Sequence, residues 1–103
     1  MLQNLCIYRV KPENVEAFKK VLPKHHPALV EAGLSSAEPK FQYWMGKSGR
    51  HEGKVYFVEL MHWKDASGPQ HAHEMPEVMA VWEPMGKLTE NDMDFVDVEP
   101  LKL

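Results

Sequence analysis

The nine-residue run VYFVELMHW, from Val55 to Trp63, limits the folds open to this chain more than any other stretch. In an extended backbone, successive side chains point to opposite faces. Val55, Phe57, Glu59, Met61 and Trp63 therefore share one side, and Tyr56, Val58, Leu60 and His62 share the other. Neither set suits water. After the polar break at Lys64 to Gly68 the period changes. Met75, Val78, Met79, Trp82 and Met85 then follow the spacing of one helical face, which predicts a helix near Pro76 to Leu88. A strand apolar on both sides and followed by a helix must hide one face beneath that helix and the other against something else.

The rest of the chain supplies the partners. Leu2 to Val10 alternates as a strand until Lys11-Pro12 stops it. Glu13 to Ala32 reads as a helical region in which Val15, Phe18, Val21, Leu22, His25, Leu29 and Val30 share roughly one side. Pro23 and Pro27 each remove an amide donor and should bend or divide it. Gly33 suits the left-handed position after a helix end, with Leu34 folding back as its apolar partner. Phe41 to Met45 is the core of another strand, and GKSGRHEG at 46 to 53 reads as a hairpin connection. Gly46-Lys47-Ser48 looks like the end of a phosphate loop, but Phe41 stands where the upstream glycine is needed and no helix follows. Met93 to Val98 alternates as a last strand.

The order is thus β, α, β, β, α, β, a single α+β domain over residues 1–103 with a ferredoxin-like βαββαβ sandwich. Two helices cannot cover both faces of a four-stranded sheet. The second face is therefore expected to meet a second copy through a two-fold contact, giving a homodimer; the competing arrangement folds the terminal tail over it.

Composition narrows the function classes. One cysteine, Cys6, excludes an intrachain disulfide framework. No apolar run approaches a membrane span and the first ten residues do not read as a signal sequence, so the expectation is a cytoplasmic protein with no membrane partner. Residues 1–54 carry nine Lys/Arg against five Asp/Glu, and residues 55–103 carry three against ten. The basic half lacks a block with interleaved aromatics, which argues against nucleic acid. Six histidines, His25, His26, His51, His62, His71 and His73, invite a metal, but residues two apart on a helix diverge and neither an HExxH motif nor a facial triad is present. No metal site is expected. Adjacent His25 and His26 are expected to split, one lining a pocket and the other wet. Glu59 interrupts an apolar strand face; chemistry and an inter-subunit ion pair with Arg9 are both open to it.

The element order, together with Trp63, His71-Ala72-His73, Pro76 and Trp82, resembles the antibiotic-biosynthesis monooxygenase-like family of dimeric α/β barrel proteins. The resemblance implies two sheets facing one another across a dimer and a ligand pocket between each sheet and its helices. It also implies oxygenation of phenols, quinols or polyketide-like aromatics without metal or flavin. The haem-degrading branch calls for an Asn on the first strand, a Trp early in the second helical segment and a ligating His beyond it. Asn4 fits the first, but Ala72 and Trp82 stand at the other two, so haem is not expected and no cofactor is assigned.

The pocket candidates are Tyr8, Tyr43, Trp44, His62, Trp63, His73, Met79 and Trp82, a set that offers aromatic area, polarizable sulfur and a few polar tips to a planar aromatic molecule. Oxygenation of a phenol or quinol would need a base, for which His62 and His73 are the candidates. Asn4 and Tyr43 would act as orienting donors, and Tyr8, Trp44, Trp63, Met79 and Trp82 as the binding wall. His62 has the better claim to the interior from strand parity. The same groups would serve a polyketide-type cyclase or isomerase, and core packing alone would make the chain a non-catalytic dimeric ligand-binding protein.

Overall fold

A computed structural model describes residues 2–47, 53–90 and 93–103. Its elements are strand β1 (Leu2–Val10), helix α1 (Val15–Val21), helix α2 (His25–Glu31), strands β2 (Gln42–Lys47) and β3 (Val55–Trp63), helices α3 (Gly68–Ala72) and α4 (Pro76–Leu88), and strand β4 (Asp94–Val98). One antiparallel sheet runs β2-β3-β1-β4, the ferredoxin-like order expected from the sequence. The sheet is open, not closed into a barrel. Residues 48–52 of the expected hairpin connection, His51 among them, lie outside the described residues. No helix among the described residues is long and apolar enough to cross a membrane.

Strand alternation decides which residues meet the helices. Asn4, Cys6, Tyr8 and Val10 on β1, with Val55, Phe57, Glu59, Met61 and Trp63 on β3, are all buried on the helical side. Phe18 of α1 packs its ring 5.3 Å from Tyr8 and 4.9 Å from Phe57, with Leu22, Leu29, Val78 and Val81 filling the space around it. On the other face Leu5, Ile7, Tyr56, Val58 and Leu60 are only half-buried, and Trp44 and Val96 are 51% and 47% exposed.

The helical region of the first half is divided at Pro23, whereas Pro27 lies inside the first turn of α2 without breaking it. A 3-10 turn at Leu22–Lys24 separates α1 from α2, because Pro23 has no amide hydrogen to continue the α pattern. α2 ends as expected: Gly33 takes φ 79°, its amide donates to the Val30 carbonyl at 3.0 Å, and the Leu34 amide donates to the Leu29 carbonyl at 2.9 Å. This is a Schellman cap, with Leu34 packed against the core.

Candidate active site

The deepest chemistry in the molecule is built on Glu59. It sits at the centre of β3, opposite Cys6 on β1 and Tyr43 on β2, and is fully buried. Tyr8 Oη donates to its Oε1 at 2.7 Å, and His25 Nδ1 lies 2.8 Å from its Oε2. Trp82 Nε1, which can only donate, lies 2.8 Å from His25 Nε2. That contact fixes the tautomer. Nε2 carries the lone pair, so the proton of a neutral imidazole is on Nδ1 and is donated to Glu59. Both Glu59 oxygens then accept hydrogen bonds, the pattern of a carboxylate.

A carboxylate at this position bears on its neighbours. Burial first and the Glu59 carboxylate second hold the Tyr8 phenol well above its ordinary range and push the Cys6 thiol to about 12. Cys6 therefore stays a thiol near neutral pH, with its Sγ 3.5 Å from the Met61 sulfur. Tyr43 is raised for the same reasons in the same order.

Beside this chain a cavity of about 520 Å³ opens between the sheet and α4. Its wall includes Cys6, Tyr8, His25, Met61, Trp63, His73, Met79, Trp82, Met85, Met93 and Phe95. The volume lies within the range of small-molecule sites, and the lining is mostly apolar, its polar atoms coming from imidazole, phenol and indole groups and from Glu83 and Thr89. Two buried polar atoms near it have no hydrogen-bond partner among the described residues: Trp63 Nε1 in the wall, and Oδ1 of Asn4, a strand neighbour of Met61. Buried groups of this kind are normally satisfied, and a ligand or a water can do so.

The candidates named from the sequence divide in two. Tyr8, Trp63, His73, Met79 and Trp82 line the cavity, and the His73 ring meets Trp82 edge-on with centroids 4.9 Å apart. His62, Asn4, Tyr43 and Trp44 are not in its wall. Trp44 pairs with Val58 and lies on the opposite face of the sheet. Tyr43 is on the helical side, but on the edge strand and 39% exposed. Asn4 spends its amide donor on Asp97, so only its oxygen remains, an acceptor where a donor is expected.

His62 is interior, but in another place. β2 stops at Gln42, opposite Leu60, and past that point the segment Ser35–Phe41 covers the end of β3. His62 Nε2 donates to the Pro39 carbonyl at 2.7 Å and Nδ1 lies 2.9 Å from Ser35 Oγ. The residue missing from the sequence set is His25. His25 and His26 are both buried, not one of them wet, because α2 has protein on two of its sides. His25 faces Glu59 and the cavity, while His26 stacks on Phe41 at 3.9 Å and meets the Ser36 carbonyl at 2.8 Å. The signal for His25 was Glu59 itself, whose burial demands a donor; Arg9 instead pairs with Asp94 at 3.0 Å. Among the described residues no three His, Cys, Asp or Glu side chains converge as a metal-binding group.

No family model matches the chain, and no curated protein matches it. Solved structures do. A crystal structure of an antibiotic biosynthesis monooxygenase aligns over 99% of this chain and 100% of its own, with TM-score 0.55 and 18% identity. A protein of Nitrosomonas europaea described as a candidate antibiotic biosynthesis monooxygenase aligns over 99% and 100%, with TM-score 0.62 and 16% identity. A point mutant of SnoaB, a cofactor-independent oxygenase from Streptomyces nogalater, aligns over 99% and 94%, with TM-score 0.58 and 11% identity. At these identities the likeness is one of fold, and the chain accordingly has the ferredoxin-like fold of the antibiotic biosynthesis monooxygenase structures that its sequence resembles.

Proposed function

We propose that this protein is a cofactor-independent monooxygenase that takes a planar phenol, quinol or polyketide-like aromatic into the cavity beneath α4, and that it works as a homodimer joined through the open face of its sheet. The observation that carries the reading is the cavity itself: an apolar slot of about 520 Å³ with two imidazoles, His25 and His73, in its wall. An electron-rich aromatic supplies its own reducing power once deprotonated. The protein then needs to provide only a proton acceptor, polar atoms that orient the ligand, and a dry slot. The anion passes one electron to oxygen and the two radicals combine. One oxygen atom becomes the new carbonyl, and the other leaves as water with two substrate hydrogens.

The unpaired Trp63 Nε1 would donate to a ligand oxygen, and Trp82, Met79 and Phe95 would hold the rings. The cofactor-independent activity of SnoaB, a protein of the same fold, supports the class of reaction.

Oxygen uptake with a panel of quinols and anthrones tests the reading. Consumption of oxygen in step with product is the expected result. The same product formed under strict anaerobiosis would assign the cavity to cyclisation or isomerisation, and neither product nor binding would leave a packed scaffold.

A further inference from the structure

We infer that His25 is the group that takes the proton from a ligand in this cavity, that Glu59 positions it, and that the Trp82 indole is a removable cover on its basic nitrogen, so that the site selects a neutral ligand with an ionisable hydroxyl. The inference rests on the proposed reading of the cavity and assigns its proton acceptor.

The geometry separates the two imidazoles in the wall. His73 is exposed and meets Trp82 through an edge contact, so nothing fixes which of its nitrogens is protonated. His25 is 2% exposed and held from both ends, with Nδ1 on Glu59 and Nε2 under the Trp82 N–H, each at 2.8 Å. A carboxylate behind Nδ1 orients the ring and favours the positive charge that develops when Nε2 is protonated. The lone pair of Nε2 meets an indole that is itself part of the cavity wall.

A phenol entering the cavity would take the place of the Trp82 N–H. Its O–H bond breaks with the electron pair left on oxygen, the proton joins Nε2, and the imidazolium lies between the Glu59 carboxylate and the new phenolate. The net charge of the site is unchanged by this transfer. An already anionic ligand would instead add a second negative charge beside Glu59, and the wall offers no Lys or Arg to balance it. The other titratable groups facing the pair are Tyr8 and Cys6 on β1, Tyr43 on β2, His73 and, on α4, Glu83.

The test uses para-nitrophenol, whose phenolate and phenol absorb at different wavelengths, titrated with the full-length protein below the pKa of the free probe. The wild type should bind it with the phenolate band enhanced. His25→Asn should bind it as the neutral phenol, a drop of at least about tenfold in the phenolate-to-phenol ratio, equivalent to one pKa unit. His25→Gln repeats the measurement should the Asn variant not fold. Glu59→Gln should move the pH at which the bound probe ionises, which loss of packing alone would not do. Trp82→Phe keeps the aromatic wall and removes the covering N–H, and should bind the probe with equal or greater ionisation.

An ionised probe in both His25 variants, or ionisation lost in Trp82→Phe, overturns the inference. Ionisation through His25 with no oxygen uptake from any quinol or anthrone keeps the inference and sinks the oxygenase. Oxygen uptake with a probe indifferent to His25 does the reverse, and no binding of any phenol sinks both.

Discussion

His62 donates a 2.7 Å hydrogen bond from Nε2 to the carbonyl of Pro39, and this bond ties the end of β3 to the segment between α2 and β2. Replacing His62 with Ala should leave the Pro39 carbonyl without its donor in a closed site, while the Ser35 hydroxyl keeps its 2.7 Å bond to the residue-62 backbone carbonyl, a loss of about 1–3 kcal/mol in urea denaturation. Phenol binding and oxygen uptake per folded molecule should stay within about twofold of wild type, since His62 lies outside the cavity wall and outside the Glu59–His25 pair. A large fall in turnover with unchanged stability would return His62 to the chemistry.

Gly68, the first residue of α3, lies flat against the Trp63 ring. A Cβ there would stand 2.5 Å from Trp63 Cε3, so a Gly68→Ala protein has to move a buried indole or its own backbone. We expect a destabilisation of about 1–3 kcal/mol, typical of overpacking, measured by thermal or urea unfolding. Because Trp63 also lines the cavity, phenol affinity should fall with it, as read by titration of the folded variant.

Stability should decline on the alkaline side through groups that are not exposed. Burial, with Glu59 adding to it, raises the Cys6 thiol from its ordinary 9.0 to about 12, and Tyr8 is raised in the same direction. Between those values the unfolded thiol has lost its proton and the folded one has kept it. Stability is therefore intact below 9.0 and is lost as pH rises toward about 12. Cys6→Ala should flatten this limb of a pH series of urea midpoints, at the expense of a small constant loss from packing. A limb of unchanged slope would show that Cys6 does not set it.

The open sheet face makes a separate prediction. Light scattering at micromolar concentration should give a mass near twice the 11.9 kDa chain. Ile7 pairs with Val58 near the middle of that face and is half-buried within one chain. Ile7→Asp should consequently spare the fold and return the mass to that of one chain, because a carboxylate facing its own copy across an apolar contact is strongly disfavoured. A wild-type protein that elutes as one chain would reject the dimer.

Much of the fold was legible because its signals are local. The parity of Val55–Trp63, the proline at 23, and Gly33 followed by Leu34 each constrain a few neighbouring residues, and each appears where the sequence put it; Pro27 instead sits in the first turn of α2, where its missing amide costs no helical bond. α3 was not foreseen, since five residues from Gly68 carry too short a pattern to show a period. On α4 the stripe was displaced. Val78, Val81 and Met85 take the core, while Met79 and Trp82 stay half-buried on the flank because the cavity, not the sheet, is what they face.

The site was harder to read because it depends on where elements stop. Parity places His62 with Tyr56, Val58 and Leu60, but it cannot show that β2 ends opposite Leu60 and leaves the next positions to a covering segment. Likewise, His25 and His26 differ by one helical step, and which of them meets a carboxylate follows from how the 3-10 turn at Leu22–Lys24 rotates α2 over β3. Glu59 was marked as anomalous. Its partner could not be named until the helix that carries it was placed.

The sulfur atoms in the cavity wall bear on how long such a molecule could keep working. Met61, Met79, Met85, Met93 and the Cys6 thiol surround the space in which oxygen would be reduced. On the oxygenase reading, a peroxide or superoxide that parts from its radical partner is released among these thioethers, and a sulfoxide turns a flexible apolar wall into a polar, chiral one. The lining is then sacrificial as well as adhesive: each uncoupled event is recorded in the protein as an added oxygen, and the slot that holds the ligand wears out with use unless a methionine sulfoxide reductase can reach it.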